Sequence, residues 1–187
     1  MNNETITFKI SRTFKENIIN FGKIVYSNFI GIKDGLIYDH TPETVVELLT
    51  SVKLINIIGY NEKGKVISYL LGKIEQLPDG RLVFYIIYLY VASKYRNRGI
   101  GKELLRRLHN YLVFDIGGIS FIVVLLDKSR HGVLYFYWNN NFRKDYMYDE
   151  ECRVDNEIYC NTQNKVGMYK YFLDWKEDRF ILLSKQI

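Results

Sequence analysis

The residues best suited to chemistry lie in the stretch YRNRGIGKELLRRL, residues 95–108. Gly99 and Gly101 stand among basic side chains, directly before an apolar pattern with helical spacing. Backbone N–H groups at a helix N-terminus bind anions such as phosphate, because the helix dipole adds partial positive charge there. The stretch therefore predicts a phosphate-binding loop that opens a helix.

Two kinds of nucleotide-binding loop do not fit this stretch. A nucleotide-hydrolysing loop needs GxxxxGK followed by Ser or Thr, but Glu103 follows Gly101-Lys102 and Arg96 stands at the first glycine position. A dinucleotide fingerprint needs a third glycine where Leu104 stands. Without a hydroxyl for magnesium, the phosphate is expected to be held rather than hydrolysed. The alternative is that the two glycines only shape a turn beneath a solvated basic face.

Strand and helix patterns surround the loop. The β-branched runs KLINIIGY, KVISYLLGKIEQL and RLVFYIIYLYV, joined by NEKG and by Asp79-Gly80, predict an antiparallel meander. Leucines at helical spacing after the loop predict a helix to about residue 113, and GISFIVVLLD predicts a buried strand over 118–127. Because one helix separates them, 81–91 and 118–127 are predicted to be parallel neighbours.

The ends of the chain carry weaker patterns. TITFKIS predicts a first strand, residues 21–42 show no clear period, and Thr41 with Pro42 predicts the start of a helix over 42–51. RHGVLYFYWNN places Val133, Phe136 and Tyr137 on one helical face, stopped by the run of asparagines that follows. FRKDYMYD and VGMYKYFLDW predict two more strands. We expect one α+β domain over residues 1–187, a mixed, mostly antiparallel sheet with helices on both faces.

Composition limits the class of protein. The hydrophobic fraction of 48% opposes general disorder, and the net charge of +5 comes largely from a local group around the loop: Lys94, Arg96, Arg98, Lys102, Arg106 and Arg107. The polar start and the lack of an apolar run of roughly 20 residues predict a soluble, cytoplasmic protein. Cys152 and Cys160 fit no metal or redox spacing, so ordinary thiols are expected, with a disulfide as the alternative.

The loop and its flanks resemble the GNAT superfamily of N-acetyltransferases over roughly residues 50–145. The acetyl-CoA signature of that family, R/Q-x-x-G-x-G/A between a strand and a helix, is matched by Arg96-Asn97-Arg98-Gly99-Ile100-Gly101. A second family pattern, N-x-x-A-x-x-L/F-Y-x-x-x-G-F, is matched in part by RHGVLYFYWNNNF. Arg130 replaces its asparagine, which puts one coenzyme contact in doubt, and Asn141 replaces its glycine.

This resemblance implies an acetyl-CoA-dependent enzyme that needs no metal. Backbone groups of Leu89 and Val91 would bond the pantetheine arm of the coenzyme. The pyrophosphate would lie on the loop and the first turn of the helix, at Arg96, Arg98, Gly99, Ile100, Gly101 and Lys102.

The resemblance also implies two catalytic tyrosines. Tyr137 stands where the family has its general acid, and a phenol that is protonated at pH 7 can donate to a departing thiolate. Tyr85 stands where many relatives carry a basic glutamate and some protein N-terminal acetyltransferases carry a tyrosine. Those acetyltransferases add a histidine at the position of Leu125, so Tyr85 is expected to act through water or as a base, with strand packing as the alternative.

The expected reaction is direct transfer of an acetyl group, in a ternary complex, to the primary amine of a protein N-terminus, a lysine or a small molecule. Because the family's usual glutamate and histidine are replaced by Tyr85 and Leu125, a catalytically silent acyl-CoA sensor is the alternative function. The arginine cluster alone suggests nucleic acid, but no RNA-binding signature accompanies it. The chain is expected to be a monomer or a homodimer and not to engage a membrane.

Overall fold

The computed structural model describes residues 5–12, 18–30, 41–50, 54–77, 80–143 and 180–187. The fold is α+β. In chain order the elements are β1 (Thr7–Ser11), α1 (Ile18–Ile30), α2 (Pro42–Thr50), β2 (Leu54–Tyr60), β3 (Val66–Gln76), β4 (Leu82–Val91), a 3₁₀ helix (Ser93–Tyr95), α3 (Ile100–Tyr111), a π-helical turn (Leu112–Ile116), β5 (Ile119–Asp127), α4 (His131–Asn139) and β6 (Phe180–Gln186).

The six strands form a mixed sheet in the order β1-β2-β3-β4-β5-β6. Strand β2 pairs antiparallel with β1 and β3, and β6 pairs antiparallel with β5. A bulge interrupts the β2–β3 ladder, since Gly59 lies opposite Ser68 but Tyr60 lies opposite Val66. This order confirms that β2, β3 and β4 are consecutive neighbours and that β4 lies beside β5, and the antiparallel pairing of β2 with β3 is confirmed directly. The antiparallel direction of β3 and β4 and the parallel direction of β4 and β5 stay predictions.

The chain divides into two compact units. The first consists of Met1–Ile74 and Ile86–Gly117, and the second of Glu75–Tyr85 and Gly118–Ile187. The prediction of a single domain over residues 1–187 stays a prediction. Among the described residues, no helix is both long and apolar enough to span a membrane.

Two buried clusters stabilise the first unit. The larger joins apolar side chains of α1, α2, β2, β3 and β4, with Tyr69 and Leu71 among its fully buried members. The smaller joins Ile67, Tyr95 and Ile100, with Phe8 and Val91 packed against it. Burial of apolar surface is the main stabilising contribution, so the second cluster anchors the segment between β4 and α3.

Several predictions at the ends of the chain need correction. Residues 21–30 are helical, although their sequence shows no clear helical periodicity of apolar residues. The periodicity is obscured because apolar Ile24 is exposed, whereas Phe21 and Val25 are buried. Strand β6 was not predicted, since its short apolar run does not distinguish strand from helix. Of the residues that spacing places on one face of α4, Val133 is 37% exposed, and the buried side chains of this helix are Leu134 and Tyr137.

Other predictions concern residues that the structure does not cover. The strand predicted in FRKDYMYD is described only at Phe142 and Arg143, where Arg143 forms an antiparallel bridge with Ser184. The strand predicted in VGMYKYFLDW lies outside the described residues, and so do Cys152 and Cys160.

Candidate active site

The loop of the first unit begins where β4 ends. The Ala92 N–H donates to the Ile67 carbonyl over 2.8 Å, which ties the end of β4 to β3. The 3₁₀ helix that follows buries Tyr95, whose N–H donates to the Ala92 carbonyl. The segment that precedes the basic loop is therefore held in place by backbone hydrogen bonds and by the buried Tyr95 side chain.

The loop itself bends through left-handed backbone. Asn97 has φ 59° and Gly99 has φ 78°, and residues 96–99 are all exposed. Asparagine and glycine adopt positive φ at low cost, which explains their places in this loop. Positive φ at these two positions is a feature of backbone nests that bind anions through their N–H groups.

Helix α3 starts at this loop with an open N-terminus. Gly99 is its N-cap, and in the part of the chain that the structure describes no side chain caps the first turn. Ile100, Leu104, Leu105 and Leu108 are buried on one stripe, which fixes the helix axis. The first N–H groups of α3 have no partner within the helix in this geometry, so an anion can accept from them.

The basic side chains around the loop divide into two groups. Glu103 accepts from Arg106 Nε at 2.7 Å and from Arg107 Nε at 2.8 Å, and the hydrogen bond from Arg106 holds the Glu103 pKa below its usual value. Lys94 Nζ and Arg98 Cζ lie 4.7 and 5.6 Å from the centroid of the Tyr95 ring. The single negative charge of Glu103 therefore offsets part of the positive charge of Arg106 and Arg107, whereas Lys94 and Arg98 lie over an aromatic ring.

Every residue predicted to bind the coenzyme lies in this continuous part of the first unit: Leu89, Val91, Arg96, Arg98, Gly99, Ile100, Gly101 and Lys102. Arg96 shows contacts that the motif alone did not reveal. Its Nε donates to the Val91 carbonyl over 2.9 Å, and its backbone N–H donates to the Ser93 carbonyl over 3.2 Å. Arg96 therefore also braces the loop.

Tyr137 lies in the second unit, on α4. Its ring is 3% exposed and makes edge contacts with Phe136 and Phe142, with centroid distances of 5.1 and 5.0 Å. Burial raises the pKa of Tyr137 above its ordinary value, so its hydroxyl stays protonated at neutral pH. The side chain is thus a rigid, protonated phenol.

The C-terminal end of α4 is closed by several hydrogen bonds. Asn140 Nδ2 donates to the Phe136 carbonyl, and the N–H groups of Asn140 and Phe142 both donate to the Tyr137 carbonyl. Arg143 Nη1 donates to the carbonyls of Trp138 and Phe142, each over 2.8 Å. Asn141, with φ 66°, confirms the predicted left-handed stop. The bracing by Arg143 was missed, because sequence spacing does not show which carbonyls a long side chain reaches.

The remaining predicted positions of the second unit are also buried or ordered. Tyr85 on β4 is 2% exposed, and Leu125 is a buried β5 residue opposite Leu182. Arg130 is the N-cap of α4 and supplies its carbonyl to the helix. Asp127 Oδ1 accepts from the N–H and the hydroxyl of Ser129, which orders the turn before α4.

Comparison with known proteins decides the family. Residues 36–142 match the model of the Acetyltransferase (GNAT) family. The chain belongs to this family. The GNAT chain is an acetyltransferase, and acetyl-CoA-dependent N-acetylation is the activity that this membership indicates.

Individual relatives of this GNAT protein are distant. The catalytic subunit ard1 of the N-terminal acetyltransferase A complex of Schizosaccharomyces pombe is 23% identical over 126 residues, 67% of each chain. Arabidopsis thaliana NAA60 in complex with acetyl-CoA has a TM-score of 0.64 at 13% identity and covers 98% of this chain and 99% of its own. A soil-metagenome aminoglycoside acetyltransferase in complex with sisomicin has a TM-score of 0.56 at 16% identity, covering 72% and 86%. These structures share the fold.

Proposed function

We propose that this chain transfers the acetyl group of acetyl-CoA directly to a primary amine in a ternary complex. The observation that carries the proposal is the open N-terminus of α3, which follows an exposed loop with left-handed Asn97 and Gly99. The donor set fits a pyrophosphate, since backbone N–H groups and the basic side chains of Arg98 and Lys102 favour an anion. Acetyl-CoA, when bound, supplies the activated acetyl thioester.

Residues of the first unit hold and orient the ligand in this proposal. The N–H groups from Asn97 to Lys102 bind the pyrophosphate, and backbone groups of Leu89 and Val91 bond the pantetheine arm. One lone pair of the Val91 carbonyl already accepts from Arg96. Because Glu103 pairs with both Arg106 and Arg107 and offsets one of their two charges, the attraction of the phosphates depends mainly on the loop amides, Arg98 and Lys102.

Tyr137 is proposed as the general acid. Its Oη holds a proton throughout the neutral range, because burial raises its pKa. The ring is fixed between Phe136 and Phe142, and a fixed donor loses little orientational freedom when it transfers a proton.

The acceptor is proposed to be a protein N-terminus or a lysine, with a small-molecule amine as the second class. The similarity to ard1, a subunit of an N-terminal acetyltransferase complex, supports a peptide. The likeness to an aminoglycoside acetyltransferase keeps the small-molecule class in view.

A screen of acetyl transfer tests the function. We expect the protein to release free thiol from acetyl-CoA only when a suitable amine is present, across peptides, polyamines, amino sugars and aminoglycosides. Initial rates measured at several concentrations of both substrates should give intersecting double-reciprocal lines, as direct transfer requires. Parallel lines would indicate a covalent acetyl-enzyme instead. Coenzyme A binding without turnover on any amine would favour the silent acyl-CoA sensor.

Tyr85→Phe tests the proposed route for the amine proton. We expect kcat/KM for the amine to fall by about tenfold or more at neutral pH and to recover as pH rises. Below the amine pKa, the neutral fraction in bulk solvent grows about tenfold per pH unit, which offsets the lost route. The measurement is the pH profile of kcat/KM.

Tyr88→Phe, three residues further on the same buried strand, is the control and should keep the wild-type profile. An unchanged profile in Tyr85→Phe would leave that side chain with a packing role only.

A further inference from the structure

A buried hydrogen bond links the β2–β3 turn to the segment that supports the basic loop. Asn61 Nδ2 donates to Tyr95 Oη over 3.2 Å, although the two residues are 34 positions apart. Asn61 is 9% exposed and Tyr95 is 1% exposed. Neither residue belongs to the acetyl-CoA signature, which begins at Arg96. The bond therefore connects a distant turn to the residue that directly precedes the loop.

The turn holds the Asn61 side chain in a single orientation. Asn61 Oδ1 accepts from the N–H groups of Lys63 and Lys65, at 3.2 and 2.9 Å. The Asn61 backbone also bonds to Lys65 and to Gly64. Because two N–H donors face Oδ1, the amide nitrogen must face Tyr95. The donor to Tyr95 is thus fixed before any ligand binds.

Tyr95, which accepts the hydrogen bond from Asn61, also contacts residues of the loop and the start of α3. Its ring packs with Ile67 and Ile100, so it contacts both β3 and the first residue of α3. Arg98 lies over the same ring, within the range of a cation–π interaction. A shift of the Tyr95 ring would move the start of α3 and the Arg98 side chain together.

We propose that the Asn61–Tyr95 hydrogen bond is a positioning device that preorganises the loop and Arg98 for the phosphates of coenzyme A. The inference rests on the proposed function, because it assumes that the loop binds this ligand. Anion-binding amides are effective only when they are held within a fraction of an ångström of the productive geometry. A loop that must be ordered during binding loses affinity, whereas a bond that orders it beforehand raises affinity. Asn61 and Tyr95 are therefore positioning residues and do not touch the ligand.

Tyr95→Phe removes Oη, and with it the bond from Asn61, but keeps the ring, its packing and the cation–π contacts. We expect the Kd of coenzyme A, measured by calorimetry on the protein without substrate, to rise by about fivefold, as loss of one buried hydrogen bond implies. The KM for acetyl-CoA should rise by the same factor, and kcat should stay unchanged.

Tyr69→Phe provides the matched control. Tyr69 is also fully buried, and its Oη accepts from Asn28 Nδ2 over 3.3 Å in the same unit. Both variants should lower the thermal midpoint, but only Tyr95→Phe should weaken coenzyme A binding. Equal weakening in both variants, or wild-type affinity in Tyr95→Phe, would overturn the inference and leave the proposed function intact. Failure of the wild-type protein to bind coenzyme A would instead overturn the proposed function, and the inference with it.

Discussion

Tyr137→Phe is expected to lower kcat by about a hundredfold or more, which is the usual contribution of a general acid. The phenylalanine ring keeps the edge contacts with Phe136 and Phe142, so the fold and the loop of the first unit are undisturbed. The Kd of coenzyme A, measured by calorimetry, should therefore stay at the wild-type value. A loss confined to kcat is the signature of an interaction made only in the transition state.

Tyr135→Phe is the matched control for this prediction. Tyr135 lies on the same helix, two residues earlier, but its side chain is 65% exposed. The same chemical change at this position should leave both kcat and coenzyme A affinity unchanged. If Tyr137→Phe turned over at the wild-type rate, the hydroxyl would have no part in the reaction and the buried ring would serve only the packing of α4.

The pH dependence of the wild-type enzyme adds a second check on Tyr137. A general acid must be protonated, so activity falls as pH rises through its pKa in the folded protein. Burial raises the Tyr137 pKa above the ordinary value of about 10, which moves this fall to more alkaline pH. A fall centred near neutral pH would therefore belong to another group.

The parts of the site that the sequence revealed are those encoded by local pattern. Gly99 within a strand–loop–helix pattern predicts the candidate anion-binding turn, because few residue types adopt its positive φ. The ion pairs of Glu103 with Arg106 and Arg107 are also accessible from the sequence, since these residues are three and four positions apart on one helix. The net charge of the sequence alone does not show this pairing.

Features that depend on contacts across the fold were not accessible to pattern reasoning. The bond between Asn61 and Tyr95 joins the β2–β3 turn to the 3₁₀ helix after β4. The turn follows directly after the bulge at Gly59 and Tyr60. Spacing places Val133 on one face of α4 with Tyr137, but Leu134 rather than Val133 is buried beside Tyr137, because tertiary packing decides which stripe of a nearly all-apolar helix faces the core. Local pattern therefore predicts a candidate ligand site, whereas tertiary packing determines how its residues are held.

Gly99→Ala is expected to raise the Kd of coenzyme A by about tenfold, because its φ of 78° is costly for a residue with a Cβ, by about 1–2 kcal/mol. A Cβ at this position would meet no other atom within 4 Å, so the cost is conformational rather than a clash with the protein. The loop would relax to negative φ, and the amides at the N-terminus of α3 would no longer point to one place. The measurements are calorimetric Kd and the thermal midpoint.

Gly118→Ala and Gly99→Asn separate the possible causes. Gly118 has φ 69° and equally open surroundings, so its substitution should cost similar stability without changing coenzyme A affinity. Asparagine tolerates left-handed backbone, as Asn97 already does in this loop, so Gly99→Asn should bind coenzyme A more tightly than Gly99→Ala. If Gly99→Asn bound more weakly than Gly99→Ala, the glycine would be required because the ligand approaches its backbone closely. Wild-type affinity in Gly99→Ala would show instead that the first turn of α3 binds the phosphates without help from the loop conformation.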